Sequence, residues 1–98
     1  MDKRVDTTRL QEMARAYTTS AVLYTALDVS LFTHVSNGAN TEAALVEATQ
    51  LRPVDVDRLV SCALSLDLLD WEDDHLVNTA DVDAYLVEGK GRYAGAWM

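Results

Sequence analysis

The sequence predicts a single, mainly α-helical domain with a helix-turn-helix and one short β-hairpin. Three observations predict it. Residues 21–32 are almost entirely apolar, residues 41–66 fit two amphipathic helices joined by a tight link, and residues 68–77 hold two short apolar segments around an acidic turn. A chain of 98 residues can bury one modest core, so we expect one domain over 1–98.

Residues 21–32 form the segment around which the rest of the chain is organised. Its polar side chains are only Thr25, Asp28 and Ser30, and strict alternation is absent, so a helix is favoured over a strand. A helix that is apolar nearly all round must be covered on more than one side. We expect one side to face the chain's own core and the other to face a second chain. The predicted interface comprises Tyr17, Ala21, Val22, Leu23, Tyr24, Ala26, Leu27, Leu31 and Phe32.

An amphipathic helix is expected before this segment, capped by Thr7 or Thr8. The hydroxyl cluster 18–20 lies between the two. Three hydroxyl side chains in a row compete for backbone hydrogen bonds, so we expect a bend or a break there. The cluster is either a simple connector or a polar edge that faces a cavity where two chains meet.

The helix-turn-helix is predicted over 41–66. Thr41 can cap a short helix with Glu42 in its first turn. Pro53 suits the first turn of the next helix, where a missing N–H does no harm. This second helix is expected to bury Val56, Leu59, Val60, Ala63, Leu64 and Leu66. Cys62 stands among these residues, so we expect a small buried side chain rather than a reactive thiol.

The predicted β-hairpin follows the second of these helices. Two short, mainly apolar segments, 68–71 and 76–77, flank the acidic tip Glu72, Asp73 and Asp74, which is a two-stranded pattern. Thr79 can cap one further short helix. A helix-turn-helix followed by a hairpin is a winged helix, so the predicted fold is a winged helix that carries N-terminal dimerisation helices.

The charge distribution argues against nucleic acid and membrane partners. The chain has 16 Asp and Glu residues against 8 Lys and Arg residues, and no Lys or Arg lies within 59–89. An acidic wing, with Asp55 and Asp57 at the start of the second helix of the pair, would repel phosphate. A winged-helix transcriptional regulator is therefore a disfavoured alternative. No apolar run approaches the length of a membrane helix.

Residues with catalytic or metal-binding chemistry are few. His34 and His75 lack the spacing of a metal site, and the acidic run has no second cluster with which to form an acid–base pair. A single cysteine cannot form an internal disulfide, and the N-terminus lacks the apolar core of a signal peptide. We expect a cytoplasmic protein with no metal site and no catalytic residue in this chain.

Four short motifs, taken in order, resemble those of a known family. They are LDVSLF at 27–32, DLL at 67–69, HLVNT at 75–79 and RYAGAW at 92–97. The chain resembles the N-terminal dimerisation domain of the SAM-dependent O-methyltransferases of plant and bacterial secondary metabolism. Two glycines of the family pattern are Ser30 and Asp67 here. Such glycines follow helices in the left-handed conformation, where Ser or Asp costs up to about 1 kcal/mol.

The resemblance implies an intertwined homodimer in which this domain lines part of the neighbouring subunit's acceptor pocket. The family continues into a doubly wound domain with a glycine-rich SAM loop and a catalytic histidine, which 1–98 lacks. SAM is therefore implied only for a partner chain or a missing part. The implied partners are a second copy or a methyltransferase-like chain, together with an aromatic or polyketide-like small molecule.

These observations lead us to expect an assembly and substrate-pocket module in natural-product biosynthesis. A stand-alone small-molecule-binding domain is the alternative. Tyrosine offers a ring and a hydroxyl, while Thr and Ser bond to phenolic or carbonyl oxygens, as in apolar pockets with few polar anchors. Tyr17 would alternatively be a core residue. The pocket candidates are Arg15, Tyr17, Thr18, Ser20, Trp97 and Met98.

Overall fold

The structure is a computed structural model that describes residues 6–95. Its elements are α1 (Thr8–Asp28), α2 (Leu31–Ser36), α3 (Glu42–Thr49), α4 (Pro53–Ser65), β1 (Leu69–Glu72), β2 (His75–Asn78) and α5 (Ala80–Tyr85). Within the described range the chain is mainly helical with one two-stranded antiparallel sheet, which confirms the predicted class at this level.

Helix α1 runs without interruption through the hydroxyl cluster, so the predicted bend is wrong. The Thr18 hydroxyl donates to the Ala14 carbonyl oxygen at 3.0 Å, and the Thr19 hydroxyl donates to the Arg15 carbonyl oxygen at 2.9 Å. Both bonds reach back one turn within the helix. The hydroxyls are satisfied by carbonyls that remain in the helical ladder, and they leave the backbone path unchanged.

The apolar segment 21–32 is divided between two helices, which corrects its prediction as a single helix. Helix α1 ends at Asp28, and Ser30 adopts the left-handed conformation with φ 57° before α2 begins at Leu31. This is the conformation expected where the family pattern has glycine. Leu31 and Phe32, at the start of α2, lie in the interior, where each is 1% exposed.

Helices α3 and α4 begin as the sequence predicts. The Thr41 side chain accepts a hydrogen bond from the Ala44 backbone N–H, and Pro53 occupies the first turn of α4. Gln50, in the left-handed conformation, ends α3 and allows the short link to α4. Asp67 follows α4 with φ 59°, as expected for the second replaced glycine.

The β-hairpin has the acidic tip that the sequence predicts. Asp73 and Asp74 both have positive φ, which is the geometry of a two-residue type I′ turn. Leu76 is buried, and its N–H donates to the Asn40 carbonyl oxygen at 2.8 Å, which joins β2 to the segment before α3. The Asn78 amide donates to the Phe32 carbonyl oxygen at 2.9 Å. The hairpin is thus fixed to the turn after α2 and to α2 itself.

Thr79 precedes α5 but does not cap it with its side chain. Its hydroxyl lies 3.2 Å from the Leu68 carbonyl oxygen and bonds there instead. After α5 the chain returns to the end of that helix, where the Ala94 N–H donates to the Tyr85 carbonyl oxygen at 2.7 Å. The core below these elements consists of Ala26, Leu31, Phe32, Val35, Leu45, Val56, Leu59, Val60, Ala63, Leu69, Leu76, Val82 and Leu86.

Candidate functional site on the N-terminal helix

Within residues 6–95, helix α1 contacts the rest of the domain only through its C-terminal part. Ala26 is completely buried, and Val22, Leu23 and Leu27 are half-buried against the core. Residues 8–21 are exposed on every side of the helix. The N-terminal half of α1 therefore projects from the part of the chain that the structure describes.

An uncovered apolar stripe runs along α1 on the side opposite Ala26. Its large members are Leu10 (57% exposed), Met13 (58%), Tyr17 (77%) and Tyr24 (49%). Successive residues of an α-helix are rotated by about 100°, so Tyr17 and Ala26, nine residues apart, point in opposite directions. Exposed apolar stripes of this length mark interaction sites. We call this set, with the exposed Ala14 and Ala21, the α1 stripe.

A second surface is the α1–α4 groove, an open depression of about 420 Å³ between the two helices. Its volume lies within the range typical of small-molecule pockets. The wall is mainly apolar, with hydroxyl groups along α1 and charged groups at the α4 rim. The lining residues are Thr18, Ala21, Val22, Thr25, Val29, Leu51, Asp55, Arg58, Leu59 and Cys62.

The charged rim of the groove contains one ion pair. The Arg52 Nε lies 2.9 Å from an Asp55 carboxylate oxygen. This hydrogen bond lowers the pKa of Asp55 and, in turn, raises the pKa of Arg52. Arg58 makes no hydrogen bond or ion pair with another described residue, so its guanidinium group is the cation available beside the apolar floor.

Helix geometry separates the pocket candidates instead of bringing them together. Arg15, Tyr17, Thr18 and Ser20 are all exposed. Tyr17 is therefore not a core residue, and Arg15 lies about 200° around the helix from it. Of the four, only Thr18 lines the groove, and its hydroxyl already donates within the helix. Trp97 and Met98 lie outside the described residues.

The predicted interface divides into three groups. Tyr17, Ala21 and Tyr24 are exposed and belong to the α1 stripe. Val22, Leu23 and Leu27 are half-buried and pack against the core. The remaining three belong to this chain's own core, so their side chains have no surface left for a partner: Ala26, Leu31 and Phe32.

Cys62 is exposed in the groove, contrary to the buried position expected for it. Val60 and Ala63, its neighbours in sequence, face the core. The rotation along α4 turns Cys62 away from them and towards α1. The apolar neighbours of Cys62 in sequence do not reveal its exposure. A helical-wheel projection of α4 does, because it separates Cys62, Arg58 and Asp55 from the buried face.

The described residues do not provide a SAM cradle. A doubly wound nucleotide site requires a parallel strand that leads through a glycine-rich turn into a helix. The sheet in 6–95 is a two-stranded antiparallel hairpin whose turn is Asp73–Asp74. Within the same range no cluster of His, Cys, Asp and Glu side chains could hold a metal ion, and no helix is long and apolar enough to cross a membrane.

Solved O-methyltransferase structures share this architecture. An O-methyltransferase family protein from Burkholderia thailandensis aligns with a TM-score of 0.80 and 26% identity over 95% of this chain and 28% of its own. CalO1, a methyltransferase in calicheamicin biosynthesis, aligns with a TM-score of 0.77 and 27% identity over 98% of this chain and 28% of its own. An O-methyltransferase family 2 protein from Planctomyces limnophilus, in complex with apigenin, aligns with a TM-score of 0.82 and 15% identity over 99% of this chain and 30% of its own.

The fold is that of a segment of O-methyltransferases. The chain spans less than a third of the length of these O-methyltransferases, from 28% to 30%. No protein-family model and no curated protein matches the sequence. The likeness to O-methyltransferases therefore concerns the fold of one part of these larger proteins.

Proposed function

We propose that this chain is the assembly and substrate-pocket module of a small-molecule O-methyltransferase of natural-product biosynthesis, a winged-helix dimerisation domain. The observation that carries the proposal is the α1 stripe, in which Tyr17 is 77% exposed although no described residue of this chain covers it. The SAM-binding part and its catalytic groups belong to a separate chain or to a missing part of the protein. The module acts in the cytoplasm.

The comparisons support this proposal at the level of the fold. Several of the similar structures are of proteins named for a biosynthesis, that of calicheamicin, neocarzinostatin or pyocyanin. This chain matches them over most of its own length but over less than a third of theirs. A module with one function inside a larger enzyme fits both facts better than a complete enzyme does.

The winged-helix assignment rests on α2–α4 and the hairpin that follows them. In a DNA-binding winged helix these parts approach phosphate. Here the hairpin tip is Asp73–Asp74, and Asp55 and Asp57 lie in the first half of α4. The acidic groups support a protein partner over a nucleic acid, because repulsion from phosphate acts at short range.

Exposed side chains of α1 contribute to the proposed substrate pocket. In an assembled protein, the ring of Tyr17 and the hydroxyl of Ser20 would lie where a second chain meets the helix. An aromatic or polyketide-like acceptor suits this mixture of ring and hydroxyl groups. The catalytic part, which binds SAM, would complete the pocket from the other side.

The mass in solution, measured by light scattering on a sizing column, tests the assembly role. We expect at least twice the chain mass of 10.8 kDa at micromolar concentration. Tyr17→Glu should give the single-chain mass because it places a charge in the stripe. Thr19→Glu is the matched control, since Thr19 lies on the opposite side of α1, and it should leave the assembly unchanged. A parent protein of 10.8 kDa at every concentration would refute the proposal.

A stand-alone small-molecule-binding role is the second candidate, and the α1–α4 groove favours it. Its apolar floor and the Arg58 guanidinium group suit a planar ligand with an anionic or phenolic group. Calorimetric titration with apigenin tests this role. Micromolar binding of apigenin that is lost in Val22→Trp, in which the new side chain fills the groove, would favour the small-molecule-binding role. If neither protein gives a heat of binding with apigenin, this role is excluded.

A further inference from the structure

The β-hairpin carries a tryptophan that the described part of the domain leaves half uncovered. Trp71 lies in β1 opposite Leu76 of β2, and it is 51% exposed, whereas Leu69 and Leu76 are buried. Residues directly opposite each other, or two apart along a strand, share one face of a sheet. Trp71 therefore continues the core-facing side of the hairpin beyond the edge of the core. Tryptophan offers a large contact area and is enriched where proteins bind one another.

The ring of Trp71 borders an open depression that also has a carboxylate in its wall. The depression has a volume of about 310 Å³ and is lined by Trp71 and Asp74. Asp74 is the second residue of the hairpin turn and is exposed. An aromatic ring attracts a cation placed over its face, and a carboxylate attracts the same cation through its charge. This depression therefore suits a cationic side chain.

The carboxylates around Trp71 have no cationic partner among the described residues. None of them forms an ion pair within residues 6–95, and no Lys or Arg lies within 59–89. Negative charges so close together repel one another, so a partner that brings positive charge relieves the repulsion. Four exposed residues carry these charges: Asp70, Glu72, Asp73 and Asp74.

A partner reaches this surface through side chains instead of through strand addition. Leu76 donates its N–H away from β1 to the Asn40 carbonyl oxygen, so Trp71 and Leu76 form a non-hydrogen-bonded pair. The N–H of Trp71 thus points to the free edge of β1, where the Asp70 carboxylate accepts it at 2.7 Å. An added strand would need that N–H. The ring and the carboxylates remain available for contact.

We propose that an arginine-bearing segment of another protein binds the hairpin surface, which consists of Trp71 with Asp70, Glu72, Asp73 and Asp74. The guanidinium group of one arginine stacks on the Trp71 ring and donates to the Asp74 carboxylate. Arginine fits this place better than lysine, because its planar group stacks on aromatic rings and bonds carboxylates through two N–H groups. The inference is independent of the α1 stripe and goes beyond the proposed assembly function.

The spread of the charges favours a peptide segment over a small cation. Asp70 and Glu72 lie two residues, or about 7 Å, apart along β1, and Asp73 and Asp74 follow at the turn. A small cation held at Trp71 would leave the more distant carboxylates unused. Alternate side chains of an extended segment repeat at the same spacing of about 7 Å, so successive cations of one segment can reach several carboxylates.

Calorimetric titration of the 98-residue chain with a synthetic peptide tests the proposal. The probe is acetyl-GRGRGRG-amide at low ionic strength, and the same peptide with lysine is the comparison. We expect the arginine peptide to bind more tightly. Trp71→Leu keeps an apolar side chain but removes the ring, so it should weaken binding about three- to fivefold, as expected for an exposed cation–π contact. Asp74→Asn should also weaken binding, and asparagine tolerates the left-handed conformation of this residue.

Two variants elsewhere on the domain are the matched controls. Tyr85→Leu removes a ring of similar exposure, 45%, from α5. Glu47→Gln removes one exposed negative charge from α3. Both should bind the arginine peptide as the parent does. Circular dichroism verifies that each variant is folded, and Asp74→Asn tests the surface by itself if Trp71→Leu does not fold.

The outcomes decide whether this surface recognises arginine. Weaker binding in Trp71→Leu and Asp74→Asn but not in the two controls, with the arginine peptide preferred over the lysine peptide, supports the proposal. No heat of binding, or equal binding by the hairpin variants and the parent, overturns it, since the second result leaves only attraction to the net charge of −8. Spermine that binds the parent more tightly than the arginine peptide also overturns it, because the surface would then hold a small polycation.

Discussion

The Ser30 hydroxyl donates to the carboxylate of Glu88, 58 residues later, at 3.0 and 3.2 Å from its two oxygens. The backbone N–H of Glu88 also donates to the Thr33 hydroxyl at 3.0 Å. These bonds join the turn between α1 and α2 to the segment that follows α5. The orientation of α1 is thereby linked to the path of the chain after its last helix.

Replacement of Glu88 by alanine tests this link. Glu88→Ala removes the acceptor but keeps the backbone bond to Thr33, so we expect the free energy of unfolding to fall by about 1 kcal/mol. Urea denaturation followed by circular dichroism measures the change. Glu47→Ala is the control, because no described residue hydrogen-bonds to its carboxylate. Equal midpoints for Glu88→Ala and the control would show that the link contributes nothing.

The two left-handed positions after α1 and α4 predict a stabilising substitution. Asp67 has φ 59°, and glycine occupies that conformation without steric cost, so Asp67→Gly should raise the free energy of unfolding by up to about 1 kcal/mol. Ser30→Gly relieves the same strain at φ 57° but loses the bond to Glu88, so its gain should be smaller. Thermal unfolding measures the stabilities of the two variants and the parent. An Asp67→Gly variant that is less stable than the parent would contradict the prediction.

The ion pair between Lys90 and Asp83 predicts a pH dependence. The Lys90 Nζ lies 2.9 Å from an Asp83 carboxylate oxygen, and this hydrogen bond lowers the pKa of Asp83 below its usual value. An acid with a lowered folded-state pKa stabilises the fold above its unfolded pKa and loses that contribution as the pH falls. Asp83→Asn should therefore be less stable than the parent at pH 7, and the difference should shrink as the pH falls through the lowered folded-state pKa of Asp83.

A matched substitution distinguishes this pair from general charge effects. Glu47→Gln removes one negative charge from an exposed residue and should show no such pH-dependent difference. Urea midpoints measured at intervals from pH 7 to the acid transition provide the comparison. A stability difference for Asp83→Asn that stays constant across this range would contradict the ion-pair explanation.

The exposure of Cys62 predicts a thiol that reacts in the folded protein. Ellman's reagent, added without denaturant, should modify one thiol per chain at a rate within about tenfold of that in the unfolded protein, because the thiol is accessible. Val22→Trp, which narrows the groove beside Cys62, should slow the reaction. Reaction only after denaturation would show that the groove is covered in the native protein.

Local rules explain what could be predicted from the sequence. The Thr41 cap, Pro53 in the first turn of α4 and the acidic tip at 73–74 each depend on residues within a few positions of one another. The motif match located the left-handed positions Ser30 and Asp67 for the same reason, since a helix end is set by its own last turn. Tyr17, Ala21 and Tyr24 of the predicted interface are exposed, and their role in assembly stays a prediction.

The sequence by itself determined the helical class, the positions of the turns and the excess of apolar surface on α1, because these follow from local propensity and spacing. Only the tertiary structure decided how that apolar surface is shared. The left-handed Ser30 separates α2 from α1, and Leu31 and Phe32 enter the core, whereas Tyr17 on α1 stays outside. Cys62 likewise faces the groove because of where α1 lies across α4. Burial depends on contacts between residues distant in sequence, which helical spacing alone does not specify.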